Sequence, residues 1–197
     1  MTDSRRQTLT RADLIDGLRE LIAELRITGT PARIRIVGGA AIALTLNAER
    51  AATVDIDGPL DPSEPILAAA HRLAVRNGWR QDWINDAAKV FLPTGYGDRS
   101  AEWITIHDDG QIHVQIAAPD TLLAMKLHAA QRRGNRDAPD LAVLLPHCSI
   151  TTSDQAEQLY EAYYPGDTLT PRTRQLLELI LSRATQPPAA PPLPALD

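Results

Sequence analysis

The sequence predicts an α/β (α+β) chain, a mixed sheet with flanking helices followed by a helical C-terminal region. Three observations predict it. Short β-branched runs crowd the first 118 residues, interleaved with amphipathic helical stretches. Every periodic segment after Pro119 instead repeats its apolar residues at helical spacing. The two regimes meet once and do not alternate again, as in a sheet domain with a helical appendage.

Residues 10 to 27 open the ordered chain as an amphipathic helix, with Thr10 as N-cap, Asp13 three residues on, and Leu14, Leu18, Leu21, Ile22 and Leu25 as one apolar stripe. Ile34, Ile36 and Val37 then read as a buried strand that ends in a tight turn at Gly38-Gly39, and Ala40 to Leu46 as a short helix. Thr53-Val54-Asp55-Ile56-Asp57 alternates around β-branched residues and reads as a second strand. The helix at 64–77 buries Ile66, Leu67, Ala70, Leu73 and Ala74 and stops at Asn77-Gly78. Strands follow at 89–92, 102–107 and 111–117, the last two separated by the turn Asp108-Asp109-Gly110. Helices are expected at 119–133, 138–146, 153–163 and 171–184. The proline-rich ending cannot enter a helix or sheet interior, so 187–197 is expected to be disordered or partner-bound. The expected organisation is therefore a core over 1–118, a helical region over 119–186 and a tail over 187–197.

Composition bounds the function. With 197 residues, 44% of them hydrophobic, the chain can bury one sizeable core. One cysteine, Cys148, permits no internal disulfide and points to a reducing compartment. The polar N-terminus, with Arg5 and Arg6, lacks a signal-peptide core, and no apolar run reaches the roughly 18 residues of a membrane span. A cytoplasmic protein with no membrane partner is expected. The net charge of −5 argues against coating nucleic acid through bulk charge. Only Lys89 and Lys126 are lysines among 20 basic residues. His71, His107, His113, His128 and His147 show no zinc spacing. Trp79, Trp83 and Trp103 are assigned to packing ahead of base stacking, and Tyr160, Tyr163 and Tyr164 to the C-terminal helices.

Chemistry gathers in three places. Residues two apart on a strand share a face, so Asp55 and Asp57 present paired carboxylates with Thr53 beside them. Folding alone has no reason to place two like charges together; a divalent cation would neutralise them and hold nucleotide phosphates. The glycine turn ahead of them starts a helix, whose backbone N–H groups can cradle phosphate. Lys126 sits in the middle of the apolar face of helix 119–133, which suits either a lysine snorkelling past the core edge or an ammonium for a triphosphate. Beyond it, Asp137 suits an N-cap before Pro139, and Asp140 the first turn of a helix. Arg132, Arg133 and Arg136 form the densest basic patch, suited to an RNA backbone or a solvated helix end.

Gly38-Gly39, Asp55-x-Asp57, Lys126, Arg132 and Arg136-Asp137-x-x-Asp140-Leu141 together resemble the AbiEii/MenT-type nucleotidyltransferase toxins of the polymerase β-like superfamily, and most of all its short mycobacterial MenT members. The resemblance spans roughly residues 34 to 145. It implies a nucleotidyltransferase-type fold and a toxin of a toxin–antitoxin pair. It implies transfer of a nucleoside monophosphate from an NTP, with Mg²⁺ or Mn²⁺, to the 3′ end of tRNA, which blocks aminoacylation and translation. A cognate antitoxin, tRNA and NTP are the implied partners. Asp55 and Asp57 match the metal-binding acids, Gly38-Gly39 the phosphate turn, Lys126 the lysine near the triphosphate, and Asp140 the later acid, with Asp137 as its neighbour alternative. Two departures stand out. The resembled turn is commonly Gly-Ser, so Thr53 becomes the nearest hydroxyl. The strand 111–117 also offers His113 and Gln115 where the superfamily usually has a third carboxylate. Protein AMPylation, or a non-catalytic nucleotide- or partner-binding module on the same fold, are the alternative functions.

Overall fold

A computed structural model describes residues 8–50, 53–93, 95–183 and 186–197. The chain divides into two compact units, the first holding the described residues of Met1–Val90, Ile104–Ile116 and Pro191–Asp197, the second those of Phe91–Trp103 and Ala117–Ala190.

The first unit begins with helix α1, Arg11–Thr28, closed by a reciprocal capping box in which the Thr10 hydroxyl accepts from the Asp13 amide while the Asp13 carboxylate accepts from the Thr10 amide. Its buried stripe is the expected one: Leu14, Leu18, Leu21, Ile22 and Leu25. Gly29, at φ 64°, ends the helix in the left-handed region. Strand β1, Ala32–Ile36, leads into α2, Gly38–Thr45, which is buried from Ala40 to Thr45. A helix apolar all round has no solvent face and must lie inside the core. Short strands β2, Ile56–Asp57, and β3, Leu60–Asp61, precede α3, Ser63–Asn77, which buries Ile66, Ala69, Ala70, Leu73 and Ala74. Ala69 takes the place expected for Leu67, which is half-buried. Strands β4, Ile84–Asn85, β5, Trp103–Asp108, and β6, Ile112–Ala117, complete the set.

Strand order in the main sheet is β3-β1-β6-β5, with β1 parallel to β6 and antiparallel to β3, so the sheet is mixed as expected. The β5–β6 turn is built by aspartates: Asp108 accepts from the Gly110 amide, and Asp109 from those of Gln111 and Ile112. A separate pair joins β2 to β4 in parallel, Ile56 opposite Ile84 and Asp57 opposite Asn85. Ile34, Ile36, Val114 and Ile116 are buried with the α1 and α3 stripes, each large aliphatic contributing about 1.5–3 kcal/mol. Trp83 is buried, donates its indole N–H to the Ala70 carbonyl at 2.9 Å and meets Trp79 edge-on at 5.1 Å. Both tryptophans therefore serve packing.

In the second unit α4, Pro119–Arg133, packs with α5, Ala138–His147, α6, Ser153–Tyr163, and α7, Pro171–Ser182. Leu122, Leu123, Leu127, Leu141, Leu144, Leu145, Tyr160, Tyr163 and Leu177 form its core. Residue 184, the expected end of the last helix, lies outside the described residues, as do Arg5 and Arg6.

Two local expectations change. Residues 87–91 form a 3₁₀ turn, not the strand expected at 89–92: Asn85 accepts from the Ala87 amide, Asp86 pairs with Lys89, and Val90 and Phe91 stay 72% and 40% exposed. Local side-chain bonds outcompete a ladder there. The run from Thr53 to Asp57 is not one strand; Thr53 bridges Leu9, and regular pairing starts only at Ile56. The last residues of the proline-rich ending lie on α1. Arg11 donates to the Pro192 carbonyl at 2.8 Å, Arg19 to that of Ala195 at 2.8 Å, and Leu196 is 2% exposed. Proline carbonyls and a buried leucine need no secondary structure to be held.

Candidate functional site

The residues singled out by sequence fall into two groups. Gly38, Gly39, Thr53, Asp55 and Asp57 belong to the first unit, and Lys126, Arg132, Arg133, Arg136, Asp137 and Asp140 to the second.

In the first unit, the Val37 amide donates to the Asp57 carbonyl at 2.8 Å, an antiparallel bridge that ties the acidic segment to the glycine turn. Gly38, at φ 67°, occupies the left-handed region that lets β1 turn directly into α2. A Cβ on Gly38 would lie 4.0 Å from Asp57 Oδ2, so that carboxylate borders the turn. Gly58 secures the approach: a Cβ there would fall 1.8 Å from the Arg35 carbonyl oxygen, and φ is 157°. Only glycine lets the residue after Asp57 press against β1. Helix α2 has Val37 as its N-cap residue and no side-chain cap.

Asp55 is half-buried, and its carboxyl is pushed up to about 6 by burial first, then by the charges of Asp57 and Asp82. Asn85 offsets part of this by donating to Asp55 Oδ2 at 3.3 Å. The Asp57 charge thus acts on Asp55 second to burial. Sequence reading missed Asn85, which reaches Asp55 because the parallel β2–β4 register sets it opposite Asp57. It also missed Asp82, held by Arg80 at 2.9 Å. The Thr53 hydroxyl donates to the Asp55 carbonyl at 3.2 Å. On β6, Gln115 accepts from Arg35 at 3.1 Å and His113 faces Asp108 at 3.2 Å.

Among the described residues, no three His, Cys, Asp or Glu side chains gather as a metal cluster. Two carboxylates with a neighbouring amide still suit a hard cation such as Mg²⁺, which commonly takes one or two carboxylates and completes its shell with water and phosphate oxygens. Burial, with the Asp57 and Asp82 charges behind it, raises the Asp55 carboxyl.

In the second unit, Lys126 Nζ lies 2.8 Å from Asp137 Oδ1 and 2.8 Å from Asp140 Oδ2. Its side chain is only 13% exposed, and both aspartates are buried. This overturns the snorkelling reading: the ammonium is not in water but between two carboxylates. It also revises Asp137. The residue stands at the N-cap of α5, yet its side chain makes no capping hydrogen bond and turns to Lys126, leaving Oδ2 buried without a hydrogen-bond partner. Helical spacing brings Asp137 and Asp140 to one face, three residues apart. Arg132, Arg133 and Arg136 are exposed at the end of α4 and in the turn after it. Phe91, His128, Tyr160 and Tyr164 form an aromatic cluster in which His128 stacks on Tyr164 at 4.8 Å.

A family model described as nucleotidyl transferase AbiEii toxin, type IV TA system, matches residues 12–193. No curated protein and no solved structure matches the chain.

Proposed function

The chain belongs to the AbiEii family of nucleotidyl transferase toxins of type IV toxin–antitoxin systems, and on that premise we propose that it moves a nucleoside monophosphate from an NTP to the 3′ end of tRNA, with Mg²⁺. The observation that carries the reading is the carboxylate pair beside the glycine turn, with Asp55 pushed up to about 6 beside Asp57. A half-buried acid pair at a turn with uncapped helix amides is suited to a metal-bound phosphate.

Asp55 and Asp57 are the residues that would hold the cation, Asn85 orienting the first. Mg²⁺ bound there would draw charge from the α-phosphate and the leaving oxygen. The amides at Gly38-Gly39 hold the terminal phosphates. The acceptor hydroxyl oxygen attacks the α-phosphorus in line, and the bond to the β-phosphate breaks with its electron pair going to pyrophosphate. The hydroxyl proton needs a base, for which Asp57 is the candidate. Lys126 is assigned to charge on the triphosphate, with Asp140 and Asp137 fixing its ammonium. Arg132, Arg133 and Arg136 are assigned to the RNA backbone, where their salt-dependent attraction adds affinity without sequence. Family membership implies an antitoxin partner, and no helix among the described residues is long and apolar enough to cross a membrane.

The test incubates the purified protein with each α-labelled NTP and total RNA or total protein, with Mg²⁺ or with chelator. Label on the 3′ end of tRNA, lost with chelator and reduced by about two or more orders of magnitude in Asp55→Ala, is expected. Label on protein alone makes the enzyme an AMPylator. No label from any NTP leaves a binding module. Asp55→Ala transferring as fast as the parent misplaces the site.

A further inference from the structure

Gly39 poses a question that backbone conformation does not answer. Its φ is outside the left-handed region that favours glycine, so any residue could adopt it. Space is the reason. A Cβ on Gly39 would fall 2.7 Å from Arg50 Nη2, 2.9 Å from Cζ and 3.0 Å from Nη1. The first two separations are shorter than real Cβ contacts and the third is tight, so the bare face of Gly39 is the seat of the Arg50 guanidinium. Arg50 is half-buried there, at the end of the 47–50 turn, where its amide donates to the Asn47 carbonyl at 3.2 Å. Consecutive glycines of one turn are therefore bordered by opposite charges, Asp57 at Gly38 and Arg50 at Gly39.

We propose that Arg50 is a further binding residue of the transfer site, its guanidinium meeting the β- and γ-phosphates of the NTP on the Gly39 side of the turn. The proposal rests on the nucleotidyl-transfer reading above. The turn carries no hydroxyl of its own, and a guanidinium supplies what one hydroxyl cannot: a fixed positive charge and two parallel N–H donors matched to phosphate oxygens. The carboxylate side of the turn takes the cation, and the arginine side takes the phosphate charge that the cation leaves uncompensated. As the acceptor oxygen bonds to the α-phosphorus and the bond to the β-phosphate breaks, the electron pair and its charge pass to pyrophosphate. Arg50 meets that charge and transfers no proton.

The test measures binding of NTP, NMP and inorganic tripolyphosphate to the full chain by calorimetry, with transfer kinetics alongside. Variants are Arg50→Gln, Arg50→Lys and Gly39→Ala. Arg50→Gln is expected to weaken NTP and tripolyphosphate about tenfold or more, leave NMP within about twofold, and lower kcat/KM through both a higher KM and a lower kcat. Arg50→Lys recovers part of the loss as a point charge. Gly39→Ala leaves Arg50 in the chain but displaces its guanidinium, and so gives the same selectivity for the triphosphate. Arg50→Gln binding NTP and tripolyphosphate like the parent, with Asp55→Ala still inactive, overturns the Arg50 proposal and leaves the transfer site standing. Equal loss for NTP and NMP makes Arg50 a structural support only and also overturns it. A parent that neither binds NTP nor labels any acceptor removes the transfer reading and this proposal with it.

Discussion

Replacing Lys126 by Met removes a charge and keeps an unbranched stem of similar volume. Were Lys126 snorkelling, that change would cost about 1 kcal/mol or less. The structure predicts otherwise. The ammonium lies 2.8 Å from each of two buried carboxylates, and Asp137 already has one oxygen without a partner. Removing the cation strands two like charges in low dielectric, and breaking a buried pair costs about 3–5 kcal/mol. The residual exposure of Lys126, 13%, lets some water relieve the aspartates, and Asp140 keeps its favourable place in the first turn of α5, so the lower end applies. About 3 kcal/mol corresponds to roughly 6–12 °C in Tm for a chain of this size. Urea denaturation of the parent, Lys126→Met, and Lys126→Met combined with Asp137→Asn and Asp140→Asn is the assay. The amides carry no charge to strand, so the Lys126→Met penalty in that background is expected to shrink to about 1 kcal/mol. A Lys126→Met protein within 1 kcal/mol of the parent would refute the buried-pair account. Transfer activity, measured well below the variant's Tm, is expected to collapse as well.

Other outcomes follow from the same geometry. Because the folded Asp55 carboxyl is raised to about 6, its contribution to stability is fully present below the ordinary carboxylate range and is lost as pH rises from about 4 through 6; Asp55→Asn should abolish this part of the Tm–pH profile, and an unchanged profile would count against the raised carboxyl. Thr53→Val deletes the hydroxyl that bonds the Asp55 carbonyl, so it should cost about 1 kcal/mol while retaining much of the transfer activity. Thr53→Glu should depress transfer by setting charge beside the acid pair, and mass spectrometry of toxin co-expressed with its antitoxin would show whether Thr53 is phosphorylated in the inhibited state. Leu196→Ala empties a buried position on the first unit and should lower stability by about 2–3 kcal/mol; an unchanged urea midpoint would mean the tail is not held in solution.

The parts legible in the sequence were those governed by local rules. Helical spacing placed α1, α3 and α4 within a residue or two, and the Thr10–Asp13 box announced where the first began. The glycine turn and the Asp55–Asp57 pair were visible because two like charges on one segment defy any folding rationale. Strand claims fared worse at 89–92 and 53–57, where pairing depends on partners far along the chain and a few local side-chain bonds tip the balance. Lys126 shows the division most clearly. Its position at the centre of an apolar face followed from spacing alone, but whether its ammonium reached water or acid depended on how α5 packs against α4, and that turned the Asp137 side chain from the helix amides to an ion pair. Asn85 beside Asp55, Arg50 on Gly39 and Leu196 on the first unit likewise had no local signature. Periodicity reports which side of an element is apolar; which charge faces which, at short range and in a low dielectric, is settled only when distant segments are packed together.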